Sequence, residues 1–390
     1  MRPASFLKVV KPWYTERMKL TAKVKLQPTP EQAQLLRQTL EQVNRACDYV
    51  SAEAWKSRTF GKFNLQKLVY REVRDGFSLT AQIVVRLVSK VADAYKVSRK
   101  QKRVFRPHGA IAYDSRVLNW RMTNSTVSIW CLGGRQIIPF VAGPRQLELL
   151  AHQCGETDLA TIDGKWYLFA VCEIETPEPL DVSDVLGVDL GVKNIAVDSD
   201  GIVYSSAQMN GLRYRYRRMR QKLQTIGTRS AGRLLRMRSG KEARFAADVN
   251  HTVSKRIVAT AQGTGRGIAL EDLKGIRSRI TARRPQRATL HSWSFFQLRS
   301  FLEYKAQGVG IPVVAVDPRN TSRTCPACGC IDKASRVSQS TFSCVICGFS
   351  GLADYIAALN IRVLGRAAVM RPYVSDVQTI AQRQGQATPL

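Results

Sequence analysis

Two cysteine pairs constrain this chain more than any other feature. Cys325-x2-Cys328 and Cys344-x2-Cys347 stand fifteen residues apart in "TCPACGCIDKASRVSQSTFSCVICG". A glycine follows each pair, Gly329 and Gly348, where a knuckle needs a residue tolerant of positive φ. Four soft thiolates on two tight turns suit Zn(II), which takes a tetrahedral sulfur set at about 2.3 Å without redox chemistry. Four thiolates close the shell and leave no position for water, so the expected zinc is structural and Cys330 is a spare thiol. The alternative, cysteines without metal, is weakened because so short and polar a segment has little core of its own. Cys47, Cys131, Cys154 and Cys172 are scattered and read as inert core thiols.

An isolated aspartate, Asp354, follows the second knuckle and opens a helical stretch whose Ala357, Ala358 and Ile361 are small or apolar. Helix capping is one explanation for it. Two further acids sit where charge is costly. Asp189 lies inside the apolar run "VLGVDLGV", where an unpaired carboxylate is either hydrogen-bonded or coordinates a cation. Glu271 ends the strand-like "GIAL", where side chains of an open sheet face a crevice. Taken together, a hairpin strand with Asp, a later strand ending in Glu and a final helix presenting Asp can converge on one sheet edge, as in ribonuclease H-like folds. Gathered carboxylates repel one another unless divalent cations neutralise them, and two Mg(II) ions about 4 Å apart would serve phosphodiester cleavage. The four histidines, His108, His152, His251 and His291, show no pairing at ligand spacing, and "GTGRG" at 263–267 lacks the Lys-Ser/Thr ending of a phosphate loop.

Charge narrows the partners. Lys plus Arg number 60 against 30 Asp plus Glu, a formal net charge of +30 over 390 residues. Such a balance attracts a polyanion, most commonly nucleic acid. An anionic membrane surface or simple solubility are the alternatives, but the basic residues recur along the whole chain rather than on one amphipathic helix. No apolar run approaches the roughly 18 residues of a membrane span. The opening residues lack a long apolar core with a cleavage site, so an intracellular protein is expected.

The pattern along the chain implies two halves. Leu20, Ala22, Val24 and Leu26 alternate as in a half-buried strand. Thr29, Pro30 and Gln32 then start a helix with Leu36, Leu40, Val43 and Val50 on one face. A second helix over about 78–102 carries Ile83, Leu87, Val91 and Tyr95 and ends in the basic "SRKQKR". Hairpin signals follow at Gly133-Gly134 and Asp163-Gly164, so a small barrel interrupted by helices is expected. "ETPEPLDVSD" at 175–184 reads as a linker. Beyond it come the strands around Asp189, then fourteen Lys or Arg against two acids over 211–256, and a loop over 274–287 with six basic residues. "HSWSFFQLRSFLEYKA" reads as an amphipathic helix carrying Phe295, Leu298 and Leu302, and "IPVVAVD" as a buried strand. The last twenty residues read as a disordered tail.

"GVDLGVKNIAV", "IALEDLKGIR", "NTSRTCPACG", "CVICG" and "ADYIAALNI", in this order, resemble the RuvC-like nuclease half of TnpB proteins and of the compact type V CRISPR effectors. The likeness is specific over about 185–365; the N-terminal half matches in "KLQPTPEQAQLLRQTL" and in layout. The resemblance implies an α/β and α+β multidomain protein. Residues 1–17 would be an extension before the usual start at Met18, and 18–174 a wedge-like β-barrel with a helical recognition insertion. Past the 175–184 linker, a RuvC-like fold of RNase H type would occupy 185–323 and 351–370. A zinc ribbon at 324–350 would be inserted in it, with the tail at 371–390.

The activity implied is RNA-guided DNA cleavage beside a short motif read by the protein. Asp189, Glu271 and Asp354 would bind Mg or Mn, and Cys325, Cys328, Cys344 and Cys347 would bind zinc. Guide RNA and double-stranded DNA would be the partners, with one or two protein copies per RNA, in a prokaryotic cytoplasm beside the nucleoid. Arg213, Arg215, Arg217, Arg218 and Arg220 are the expected phosphate contacts, Tyr214 and Tyr216 would stack on bases or pack on a helix, and the 274–287 loop would gate the cleft. Leu352 and Ile356 stand where many TnpB proteins carry Asp and Asn, which points to altered metal affinity or speed. A guided binder without cleavage, a guide-independent resolvase and a strand-transferring transposase are the rival readings.

Overall fold

The computed structural model describes residues 16–273 and 295–370. The residues of the expected extension before Glu16, the expected gating loop and the expected tail lie outside them. The chain divides into two compact units, Arg17–Glu175 and one that takes up the chain from Thr176. Among the described residues no helix is long and apolar enough to cross a membrane.

The first unit begins with β1 (Arg17–Leu26), in which Met18, Ala22, Val24 and Leu26 are buried, Leu20 on the same face is half-buried, and the alternate residues are exposed. Helix α1 (Pro30–Ser57) starts at the expected capping box. Gln32 N–H donates to the Thr29 hydroxyl at 3.3 Å while the Gln32 side chain accepts from Thr29 N–H at 3.1 Å. Leu36, Leu40, Val43 and Val50 are all buried. Helix α2 (Lys62–Gly76) was not expected from the sequence, because only Leu65, Val69 and Val73 of its fifteen residues are buried. Helix α3 (Ala81–Val97) buries Ile83, Leu87, Val91 and Tyr95 as expected, in a span shorter than 78–102.

Strands β2 (Ile111–Tyr113), β3 (Leu118–Arg121), β4 (Thr126–Cys131) and β5 (Gly134–Val141) precede α4 (Pro144–Ala151), β6 (Gln153–Ile162) and β7 (Lys165–Glu175). They join β1 in a seven-stranded antiparallel sheet of order β2-β6-β7-β1-β5-β4-β3, so α1 to α3 are an insertion between sheet strands. The second hairpin turns where read, with Ile162 opposite Lys165 and Asp163 and Gly164 at φ of 50° and 73°; the first turns one residue earlier, at Leu132-Gly133, with Cys131 opposite Gly134. Cys47 and Cys131 are buried, and burial pushes each thiol up to about 12.

In the second unit, residues 176–184 carry no helix or strand. Then come β8 (Val185–Asp189), β9 (Asn194–Asp198) and β10 (Val203–Ser205). Helices α5 (Ala207–Ile226), α6 (Arg229–Arg238) and α7 (Lys241–Gly263) lead to β11 (Gly267–Glu271). Helix α8 (Phe295–Gln307) and β12 (Val313–Val316) follow; Leu298 and Leu302 are buried, while the Phe295 side chain lies outside the described set. The five strands form one sheet of order β10-β9-β8-β11-β12. Its first three strands pair antiparallel, whereas β8, β11 and β12 run parallel. Parallel strands covered on both faces need near-continuous apolar runs, and "VLGV", "GIAL" and "VVAV" supply them.

The two faces have separate cores. Leu186, Val188, Ile268 and Leu270 pack with Ile257 and Leu302 of α7 and α8 on one side. Val185, Ala269, Val314 and Val316 pack with Ile361 on the other, which belongs to the last helix, α9 (Ala353–Val369). Burying each such aliphatic side chain contributes about 1.5–3 kcal/mol. A two-stranded ribbon, β13 (Thr341–Ser343) and β14 (Ser350–Leu352), precedes α9 and spans the second knuckle.

Candidate active site and metal centre

Side chains along a strand alternate between faces. Val185 and Gly187 of β8 face α9, so Asp189 shares that face; by the same period Glu271 shares it with Ala269 on β11. The strands are parallel neighbours with Leu270 opposite Val188, so the two acids that end them stand side by side. Helix α9 lies across this face and brings Asp354 in its first turn.

The approach of α9 depends on glycine. A Cβ built on Gly187 would lie 2.2 Å from the carbonyl oxygen of Ala358 and 2.5 Å from the backbone nitrogen of Arg362. One on Gly365 would lie 2.4 Å from Ala269 Cβ. The helix is further held where Arg362 forms a two-pronged ion pair with Asp184, just before β8.

The structure brings the three expected acids together. All three are half-buried. Burial holds Asp189 well above the usual carboxylate range, and the neighbouring charges of Glu271 and Asp354 add to this. Glu271 is also raised, chiefly by burial, against a hydrogen bond from Thr321 that lowers it. Asp354 is not a helix cap: Leu352 holds the cap position without a side-chain bond. Instead Asp354 Oδ2 accepts from Asn194 Nδ2 at 2.9 Å, and Oδ1 lies 3.9 Å from an Arg336 guanidinium nitrogen. Half-buried carboxylates that repel one another at an open sheet edge offer hard oxygen ligands of the kind divalent Mg or Mn takes, although their oxygens do not all close to within 4.8 Å of one another as the four cysteine sulfurs do.

Asn194, Thr321 and Arg336 were missed by sequence reasoning. Arg336 lies in the polar stretch between the knuckles, fixed by donation to the carbonyls of Ser338 and Gln339 at 3.1 and 2.7 Å. Nothing in "KASRVSQS" marks it. The substituted position Ile356 is fully buried with Cys325, Phe342, Cys344 and Ala353, so it forms part of the ribbon's small core. Leu352 is 60% exposed beside Asp354.

The four cysteines form the one group of His, Cys, Asp or Glu side chains among the described residues close enough to share a single ion, with all four sulfurs within 4.8 Å of one another. Cys325 and Cys347 sulfurs are 3.6 Å apart, as are those of Cys328 and Cys344. A tetrahedron with metal–sulfur bonds of about 2.3 Å has sulfurs about 3.8 Å apart, so the set fits zinc. Gly329 and Gly348 both have φ of 72°, and the N–H groups of Cys347 and Ile346 point at the Cys344 sulfur, bringing its thiol down to about 6. Cys330 lies outside the four and packs on the ribbon core. Cys347→Ser is expected to lose the zinc counted by elemental analysis and to abolish hydrogen-exchange protection across 324–352, because structural zinc supplies about 10 kcal/mol of folding energy in small modules. Unchanged protection in that variant would show that the ribbon needs no metal.

The basic helix differs in part from expectation. Arg215, Arg217 and Arg218 of α5 are exposed, and Arg218 sits 5.8 Å from the ring of Tyr214, itself 63% exposed. Arg213 instead turns inward, 9% exposed, with Glu242 of α7 3.9 Å away, and so is not presented to a phosphate backbone. Arg220 shares Glu242 at 3.0 Å. The sequence showed the charge of both arginines, but only the packing of α5 on α7 showed where they point.

Fold and site together define an α/β protein with an acidic site on one sheet edge, tied to a four-cysteine centre. Residues 295–361 match the protein-family model described as Cas12f1-like, TNB domain. The chain is 35% identical over 225 residues to the CRISPR-associated endodeoxyribonuclease Cas12f1 of Sulfoacidibacillus thermotolerans, covering 51% of this chain and 50% of that one. It is 29% identical over 195 residues to the TnpB-like protein MJ0751 of Methanocaldococcus jannaschii, 47% of this chain and 69% of the other. The chain spans about half the length of the Cas12f1 relatives it matches. A solved chain from a Cas12f1–sgRNA–target DNA complex superposes with a TM-score of 0.57 at 17% identity, over 85% of this chain and 81% of its own, a likeness of fold. The resemblance to TnpB proteins and compact type V effectors is thereby borne out.

Proposed function

We propose that this chain is an RNA-guided DNA endonuclease that hydrolyses target phosphodiesters at Asp189, Glu271 and Asp354. The observation that carries the reading is the convergence of these acids, from elements 82 and 83 residues apart in the sequence, on one face of a single sheet. The strand order β10-β9-β8-β11-β12, three antiparallel strands followed by a parallel pair, supports assigning the unit to the RNase H-like class, in its RuvC form with an inserted zinc ribbon. That its relatives are DNA endonucleases by name supports cleavage of DNA, and the Cas12f1–sgRNA–target DNA complex supports an RNA guide and a DNA target.

A pair of Mg(II) ions held by the three carboxylates would supply an activated water and charge neutralisation at the leaving oxygen. The protein's own groups set the geometry. Asn194 and Thr321 orient Asp354 and Glu271 through hydrogen bonds at 2.9 and 2.5 Å. Arg336 is placed to draw a phosphate toward the acids. Exposed Arg215, Arg217 and Arg218, and Lys100 and Lys102 in the other unit, would hold nucleic-acid backbone, while guide pairing reads the target and the protein reads a short adjacent motif.

The test is to purify the chain with the RNA it acquires in cells transcribing its native locus, sequence that RNA, and offer a matching plasmid target with Mg(II). One discrete RNA and guide-dependent cuts are expected. Heterogeneous RNA with unguided cutting would make it a guide-independent nuclease. Tight but uncut target would favour the guided binder without cleavage, and joined products a transposase.

A further inference from the structure

Residues 317–324 run from the end of β12 to the first knuckle and touch three things at once. Thr321 is 3% exposed, and its hydroxyl donates to Glu271 Oε1 at 2.5 Å. The carbonyls of Thr321 and Thr324 both accept from Asn360 Nδ2, at 2.7 and 2.8 Å. Asn360 is 7% exposed on α9, the helix that begins beside Asp354. The segment is tightly wound around Asn320, whose φ is 63° and whose carbonyl accepts from the N–H groups of Arg323 and Thr324, each at 2.9 Å. Cys325 is the next residue.

A glutamate has three rotatable side-chain bonds, so its carboxylate needs a fixed partner to hold one direction. A buried hydroxyl aimed at one oxygen selects a single rotamer. Asn360 holds that hydroxyl in place by gripping the carbonyl of Thr321 itself and that of Thr324 one turn on, and the same grip fixes the segment to α9. We propose that Thr321 and Asn360 are positioning residues that aim the Glu271 carboxylate and tie the four-cysteine centre to the acid site. The proposal rests on the reading above only in that Glu271 holds a divalent cation.

The test uses the full chain and Mn(II) alone, with bound and free ion counted by electron paramagnetic resonance. Glu271→Gln is expected to remove a binding event seen in the wild type. Thr321→Val, which keeps the volume and loses the hydroxyl, is expected to weaken that event by about 10- to 100-fold, as for other groups bonded to a metal ligand. Thr321→Ser restores it, and Asn360→Ala weakens it in the same direction. Wild-type affinity in Thr321→Val, while Glu271→Gln abolishes binding, overturns the positioning role alone. Failure of Thr321→Ser to restore a weakened affinity overturns it too, since the loss then comes from packing. If Glu271→Gln changes nothing, the cation reading falls and this inference with it.

Discussion

Asp189→Ala should lower target cleavage by about a thousandfold or more, the scale of losing a group that stabilises developing charge in a transition state, while binding of RNA and target DNA is retained. The separation follows from where the residue sits: Asp189 ends β8 beneath α9 and contributes no surface to the exposed basic helix. The same substitution should not destabilise the metal-free fold. Burial and the charges of Glu271 and Asp354 raise the Asp189 pKa, so its ionised form opposes folding. For an acid whose folded pKa is raised, the penalty is absent below the unfolded value near 3.9 and grows as pH rises from there toward the folded value. The melting temperature of Asp189→Ala relative to wild type should therefore rise as pH increases above about 4 without metal. With saturating Mn(II) the order should reverse, because only the wild type gains stability from binding. Cleavage at the wild-type rate in this variant, under matched RNA and target, would remove Asp189 from the chemistry.

Gly187→Ala is the second large effect. The added methyl would meet backbone atoms of α9 at 2.2 and 2.5 Å, and backbone cannot move aside as a flexible side chain can. Either the helix lifts or β8 distorts, at a cost of about 1–3 kcal/mol or more. Lifting α9 also moves Asp354, and a displacement of about 1 Å at a catalytic group costs on the order of a hundredfold in rate. Melting temperature and cleavage should fall together. Gly211→Ala is the control: it lies in α5 with no atom within 4 Å of the added carbon, so the helix should gain up to about 1 kcal/mol. Equal behaviour of the two variants would mean that α9 does not need its close seat on β8.

The elements whose signals are local were legible before any fold was in view. The capping box at Thr29 and Gln32 involves residues three apart, and both of its hydrogen bonds are present. The knuckles are equally local, since Gly329 and Gly348 adopt the positive φ that their turns demand. Helix α2 escaped notice because exposure of most of its residues leaves too thin an apolar stripe. Strand periodicity went further: once β8 and β11 are parallel neighbours, alternation puts Asp189 and Glu271 on the same face.

By itself the sequence determined the longer strands, most of the helices, the four-thiolate set and the identity of three costly acids, because each is encoded over a few residues by periodicity, turn chemistry or spacing. Tertiary structure alone decided that Asp354 accepts from Asn194 rather than capping its helix, that Arg213 turns inward beside Glu242 while Arg215 faces solvent, and that Arg336 and Thr321 reach the acids. These outcomes depend on which residues meet across 18 to 160 positions of chain. That meeting is set by sheet order and by the seat of α9 on Gly187, quantities that no short window of sequence carries.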